Sequence, residues 1–239
     1  MNGKVYIVGA GCGDPELITV KGKKILDKAD VLIYAGSLVN PELVEDCPAP
    51  EKFDSWGMKL EDMTQKMVDS AKSGLCVVRL HSGDPSLYGA IIEQAALLEK
   101  AGIIVERVPG VSSMFGAAAA LETQLTLRGV SESVIVTRPA GTTLEKDQIA
   151  EMSRLGQTMV IFLGTEHMEE VFEKVECPPE TPAAVVYRAT WPDEKVIKGT
   201  VSDVAKKARE AGIDKTALII IGNVVDAVNS DFVNSHLYE

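Results

Sequence analysis

Val5-Tyr6-Ile7-Val8-Gly9-Ala10-Gly11-Cys12-Gly13-Asp14-Pro15 is the stretch that decides the fold class. Its apolar start fits a strand buried on both faces. Glycines then turn the chain, and a carboxylate and a proline follow. The same order recurs at Val77-Val78-Arg79-Leu80-His81-Ser82-Gly83-Asp84-Pro85-Ser86-Leu87-Tyr88-Gly89. Open α/β sheets build ligand crevices from loops of this kind at their strand ends. Two copies of Gly-Asp-Pro imply one small-molecule site with two walls, which points to an enzyme or a cofactor binder.

Working outward, strands are expected at about 3–9, 30–35, 75–81 and 103–108, with helices near 15–29, 60–73 and 86–101. Gly102 stands where a helix stop belongs. The turn Val108-Pro109-Gly110-Val111-Ser112-Ser113 ends in two helix-capping hydroxyls, and a small apolar helix follows from Met114 to Leu121. The pattern then restarts. Strands fit 132–137, 158–163, 183–189, 194–199 and 216–222, and helices fit 145–155, 166–176 and 201–211. The close strand spacing at 183–199 suggests a hairpin. The expectation is two α/β domains, 1–116 and 117–239, with the active-site cleft between them. The first should hold a mainly parallel sheet and the second a mixed one.

Composition narrows the function classes. The 239 residues are 46% hydrophobic and 25% charged, as in an ordinary globular protein. No apolar stretch approaches the roughly 20 residues of a membrane span, and, with a strand-like run almost at once, no signal peptide is expected. The four cysteines lie far apart without a C-x-x-C pair, so reduced cytoplasmic thiols are expected. A net charge of −11 argues against nucleic acid as a partner. A polyanionic substrate would need a local basic pocket.

Gly9-x-Gly11-x-Gly13 invites a dinucleotide reading that fails on detail. Asp14 stands where the third glycine of that fingerprint belongs, and the second strand ends Tyr34-Ala35-Gly36 without a ribose-binding acid. A carboxylate in the loop would also repel a pyrophosphate. No P-loop and no G-x-S-x-G elbow occurs. The histidines His81, His167 and His236 show no ligand spacing, so no metal site is expected. Glycine loops carrying carboxylates suit a cationic nucleoside without phosphates, and S-adenosylmethionine fits that description. Ser82-Gly83-Asp84, Val111-Ser112-Ser113 and Phe162-Leu163-Gly164 could receive it.

These motifs resemble those of the tetrapyrrole methylases of cobalamin and sirohaem synthesis. The family's opening V-G-x-G-x-G-D-P-x-L-[I/L]-T is matched from Val8 to Thr19. Its R-L-x-x-G-D-P-x-x-[Y/F]-G is matched from Arg79 to Gly89, and its P-G-[V/I]-[S/T]-[S/A] from Pro109 to Ser113. The resemblance runs to His236-Leu237-Tyr238. Tyr34-Ala35-Gly36-Ser37-Leu38-Val39, Leu80 to Ala90 and Val186 to Pro192 look most like the precorrin-4 C11-methyltransferase branch. Uroporphyrinogen methylases usually carry an acid after the second-strand tyrosine, where this chain has Ala35. Family members commonly have proline where Cys12 stands.

The resemblance implies a cytoplasmic homodimeric C-methyltransferase of the two-domain class III fold. It would transfer a methyl group from S-adenosylmethionine to C11 of precorrin-4 or cobalt-precorrin-4, leaving S-adenosylhomocysteine. Methylation at another ring position, or a non-catalytic tetrapyrrole-binding homologue, is the alternative. Carried over onto matching positions, the cofactor contacts are Cys12, Ser82, Gly83, Asp84, Leu87, Ser112, Ser113, Leu163 and Ala189. Lys21, His81, Arg107, Arg128, Arg138 and Arg188 are candidates for the carboxylates of the tetrapyrrole, the arginines through forked hydrogen bonds. No catalytic base is assigned. Asp84 is expected to touch the cofactor, and Asp14 to act more as a turn former.

Overall fold

The structure is a computed structural model that describes residues 3–230 and 232–234; the terminal His236, Leu237 and Tyr238 lie outside the described residues. The chain divides into two compact units, Met1–Ser113 and Met114–Glu239.

The first unit alternates strand and helix: β1 (Lys4–Gly9), α1 (Val20–Leu26), β2 (Val31–Tyr34), α2 (Pro41–Glu45), β3 (Glu51–Asp54), α3 (Leu60–Lys72), β4 (Val77–His81), α4 (Ile91–Lys100) and β5 (Ile104–Val108). The five strands form one sheet in the order β3-β2-β4-β1-β5, and every pair is parallel. Strand alternation sends Val8, Leu32, Val78 and Leu80 to the face covered by Leu26 of α1 and Leu43 of α2. Val5, Val31, Ile33 and Val77 face Met67 of α3 and Leu98 of α4. Burial on both faces explains why these strands read as continuous apolar runs.

The strand order fixes where a ligand can go. β1 and β4 are neighbours, yet the chain leaves β1 over the α1 face and leaves β4 over the α4 face. Adjacent strands whose connections depart to opposite faces form a topological switch point, where open α/β sheets bind ligands. Both Gly-Asp-Pro triplets stand there.

The helix expected over 15–29 divides. Pro15–Leu17 is one 3-10 turn, and α1 starts only after Thr19, whose side chain caps it by accepting from Gly22 N at 3.1 Å. The helix expected from 86 begins at Ile91, because Tyr88 (φ 56°) and Ala90 (φ 48°) hold the preceding turn left-handed. Strand β3 adds to the expected set: its Glu51-Lys52-Phe53-Asp54 carries a single apolar residue at a sheet edge, too little for a strand pattern.

The second unit contains α5 (Ser113–Ala120), β6 (Val134–Thr137), α6 (Ile149–Ser153), β7 (Thr158–Ile161), α7 (Met168–Lys174), β8 (Pro182–Tyr187), β9 (Lys195–Thr200), α8 (Val204–Glu210) and β10 (Ala217–Ile221). Its sheet order is β6-β7-β10-β8-β9; β6 and β7 pair parallel and all other pairs are antiparallel. Ala117, Ala118 and Leu121 pack on one face of this sheet, and Ile149, Met168, Val171, Val204 and Ala208 on the other. Small α5 side chains let that helix approach closely. Strands β8 and β9 form the hairpin that their spacing suggests. Helix α6 is shorter than the 145–155 expected, since Asp147 accepts from Ala140 N (2.7 Å) and Ile149 N (3.3 Å) and holds the preceding residues as a loop.

Candidate active site

Three loops of the first unit, after β1, β4 and β5, are knitted together by hydrogen bonds to the main chain. Gly11 N donates to Gly83 O at 3.3 Å, and Gly83 N returns a bond to Gly11 O at 2.7 Å. Ala10 N donates to His81 O at 2.7 Å. The two Gly-Asp-Pro loops therefore continue the pairing of their strands by one antiparallel bridge. The third loop joins through Asp84, whose Oδ2 accepts from Gly110 N at 2.9 Å.

Such an approach requires glycine. A Cβ on Gly110 would lie 2.2 Å from Gly83 O and 2.8 Å from Gly9 Cα, both backbone atoms that cannot step aside. A Cβ on Gly9 would lie 2.6 Å from Gly110. Gly83 is different: its φ of 61° needs glycine, but a Cβ there would meet nothing nearer than 3.8 Å. At Gly83 such a Cβ would make ordinary van der Waals contact with Ser112 and Ser113, whereas crowding at Gly9 and Gly110 packs the three loops backbone to backbone.

Asp84 is the node of the site. Its Oδ1 accepts from Ser86 N (2.8 Å) and Ser86 Oγ (2.5 Å). A carboxylate offers about four lone-pair sites; these two bonds and the Gly110 bond occupy three. Partial burial works to raise the Asp84 pKa, but the donors of Ser86 and Gly110 together outweigh it, and the net shift is downward. Asp84 is a fixed anion with one acceptor direction left.

His81 ends β4 with Nδ1 2.8 Å from Ser82 O, so Nδ1 carries the proton that bonds this carbonyl. Burial lowers its pKa against the opposing pull of the Ser82 and Gly89 carbonyls. Asn40 Nδ2 donates to Gly13 O at 2.9 Å and fastens the first loop to the segment after β2.

The structure brings Cys12, Ser82, Gly83, Asp84, Leu87 and Ser112 onto these three loops, with Ser112 buried and Leu87 half-buried, and sets Ser113 at the first residue of α5. In the second unit, Leu163 follows β7 and Ala189 follows β8 at the same edge of their sheet. Leu163 is 63% exposed with φ 57°, an apolar side chain presented outward on a left-handed backbone.

The basic candidates are scattered. Lys21 lies in the first turn of α1 and pairs with Glu106 at 2.7 Å, and Arg107 lies within β5, 3.6 Å from Glu99. Neither stands in a strand-end loop. Arg128 Nη1 donates to Asn234 O at 2.7 Å. Arg138 directly follows β6 and donates to Thr143 Oγ1 (2.6 Å) and Thr143 O (3.0 Å). Arg188 directly follows β8 and pairs with Asp193 at 2.8 Å. Gly110 joins the site as a structural member that the carried-over positions omit; the Pro109-Gly110 pair just after a strand is its signal in the sequence.

The sequence profile of the Tetrapyrrole (Corrin/Porphyrin) Methylases matches residues 4–205. The chain belongs to the tetrapyrrole methylases. A cobalt-precorrin-4 C(11)-methyltransferase of Methanocaldococcus jannaschii is 51% identical over 231 residues, 94% of this chain and 89% of the relative. Among solved structures, that of a cobalamin biosynthetic enzyme, cobalt precorrin-4 methyltransferase, superposes with a TM-score of 0.89 at 44% identity, over 93% of this chain and 96% of that one. A uroporphyrin-III C-methyl transferase from Thermus thermophilus, solved with S-adenyl homocysteine, superposes with a TM-score of 0.83 at 30% identity, over 94% of this chain and 100% of that one. The two-sheet architecture is thus shared with solved tetrapyrrole methylases, as the motifs imply.

Proposed function

We propose that this chain transfers the methyl group of S-adenosylmethionine to C11 of cobalt-precorrin-4 or precorrin-4 in cobalamin biosynthesis, releasing S-adenosylhomocysteine. The observation that carries the proposal is the three-loop junction at the switch point, Gly11–Gly83 and Asp84–Gly110, in a chain whose relatives carry that activity in their names.

The residues fit such a cofactor. Gly83 exposes main chain without a side chain between Ser82 and Asp84, and Ser82 and Ser112 supply hydroxyls on the same loops. The remaining acceptor direction of Asp84 suits a cationic ammonium or a ribose hydroxyl. Bound S-adenosylmethionine supplies an electrophilic methyl on its sulfonium, and the ring carbon is an enamine-like nucleophile. The protein's part is to hold both in line, which lowers the barrier by roughly 7–11 kcal/mol. Asp84 is unsuited to take up the ring proton: its lowered pKa makes it a weak base at neutral pH. Leu163 and Ala189 are proposed as contacts of the same cofactor. His81, Lys21, Arg107, Arg128 and Arg138 are proposed to face substrate carboxylates. A homodimer in the cytoplasm completes the reading, on the family resemblance.

Isothermal titration with S-adenosylhomocysteine tests the cofactor, and no heat at millimolar ligand would sink it. Turnover of a defined precorrin-4 or cobalt-precorrin-4 pool, with the new methyl located by NMR, tests the ring position. A methyl elsewhere would move the chain to another branch. Tetrapyrrole binding without turnover would make it a carrier.

A further inference from the structure

The segment between β8 and β9 reads Arg188-Ala189-Thr190-Trp191-Pro192-Asp193-Glu194 and contains no glycine. Nevertheless Arg188 (φ 45°) and Thr190 (φ 70°) are both left-handed, one on each side of Ala189. Non-glycine residues persist in that region only when their surroundings over-determine them. A hairpin turn of the Asn-Gly type would have avoided the strain. Thr216, whose carbonyl accepts from Arg188 N at 3.1 Å, is left-handed as well (φ 55°).

What over-determines the segment is visible. The Arg188 guanidinium folds back over its own loop, 4.1 Å from the Trp191 ring centroid and bonded to Asp193 at 2.8 Å. Trp191 N donates to Arg188 O at 3.0 Å, and Thr190 N donates to Glu194 Oε2 at 2.7 Å. Ala189 itself is 5% exposed, and its methyl packs in the core with Val186 and Leu218. Its side chain is therefore committed to packing. Among the described residues, its N–H donates no hydrogen bond and its C=O accepts none. What Ala189 has left to offer a ligand is its main chain, and main-chain recognition depends on the backbone conformation that its neighbours impose.

We propose that Arg188, Trp191 and Glu194 are positioning residues, a clamp that fixes the main chain of Ala189 for S-adenosylmethionine. The clamp rests on the proposed function, in which Ala189 is a cofactor contact. It also removes Arg188 from the substrate ligands: its guanidinium is stacked and paired inside the loop, where a ring carboxylate would have to displace both Trp191 and Asp193.

The test compares full-length wild type, Arg188→Gln, Trp191→Phe and Trp191→Leu. Phe keeps an aromatic face for the guanidinium; Leu keeps apolar bulk without one. Titration with S-adenosylhomocysteine should show about tenfold weaker binding for Arg188→Gln and Trp191→Leu, and near-wild-type binding for Trp191→Phe. Steady-state kinetics should show the same loss in KM for S-adenosylmethionine, with kcat at saturation and KM for the tetrapyrrole unchanged. If Arg188→Gln raises the tetrapyrrole KM and leaves S-adenosylhomocysteine affinity intact, Arg188 is a substrate ligand and the clamp is wrong. Should Arg188→Gln fail to fold, the Phe and Leu variants decide: equal affinities overturn the proposal. Wild type that binds no S-adenosylhomocysteine refutes the proposed function itself, which is a separate result.

Discussion

The two Gly-Asp-Pro loops begin alike and end differently. In each, the aspartate Oδ1 accepts from the main-chain N–H two residues on: Asp14 from Glu16 N and Asp84 from Ser86 N, both at 2.8 Å. This is the Asx turn that such a carboxylate builds by itself. After Asp14 the chain relaxes into a 3-10 turn and a capped α1. After Asp84 it passes two left-handed residues, Tyr88 and Ala90, before α4 begins. The second oxygen of Asp84 also binds Gly110, 26 residues away, so one carboxylate serves a turn and a tertiary bond together. The same triplet builds the same Asx turn in both loops, but it is tied onward differently: the first through Gly13 O to Asn40, the second through Asp84 to the loop after β5. Sequence identity over a short motif thus fixes the turn but not the load that the turn carries.

The largest expected effect breaks the junction from its far side. Gly110→Ala drives a Cβ against Gly83 O and Gly9 Cα, and no side chain can yield. A loss of about 3 kcal/mol or more is expected, at the top of the range for overpacking. Urea unfolding measures it, and a loss below about 1 kcal/mol would mean that the three loops are loosely joined. Next come the aspartates themselves. Asp84→Ala leaves the Gly110 N–H without its acceptor and should cost about 2 kcal/mol. Asp14→Ala removes the cap of a 3-10 turn and should cost about 1 kcal/mol. Affinity for S-adenosylhomocysteine should fall about tenfold for the first and scarcely for the second. Equal losses would show that the two loops carry equal load.

Most of this frame is legible in the sequence because it rests on local chemistry. Parallel strands buried on both faces announce themselves as apolar runs, and Gly-Asp-Pro announces its turn. What escapes is non-local or weakly patterned. β3 is a polar edge strand recognisable only by its partner β2. The short α2 before it has a legible start in Asn40-Pro41, a capping side chain followed by proline, but its five residues are too few to show a helical period. The bond from Asp84 to Gly110 depends on β5 lying beside β1, which periodicity does not reveal. Arg188 shows the same limit in reverse. A basic residue at a strand end looks like an anion site until its stacking on Trp191 is seen.

The smallest expected effect sharpens the comparison through pH. His81 ends β4 at the mouth of the second loop, and its register partner on β1 is Gly9, which cannot titrate. Burial, helped by the charge of Arg79, holds the His81 pKa below the ordinary 6.5, even though the Ser82 and Gly89 carbonyls and the Asp84 carboxylate favour its charged form. The unfolded chain therefore takes up this proton first as pH falls. Unfolding then gains free energy from proton binding, so the folded state loses stability from about pH 6.5 downward until the folded pKa is passed. Asp84 acts in a lower window: its depressed pKa means that its contribution persists above the carboxylate range and is lost only as pH drops below about 3.8. His81→Asn should flatten the decline in unfolding free energy that sets in below about pH 6.5 and leave the acid limb in place; Asp84→Asn should flatten the acid limb and, because it removes a charge that favours charged His81, make the upper decline no shallower. An unchanged slope in His81→Asn would mean that the ring takes its proton as readily folded as unfolded, and that the second loop is no more closed to water at His81 than the first is at Gly9.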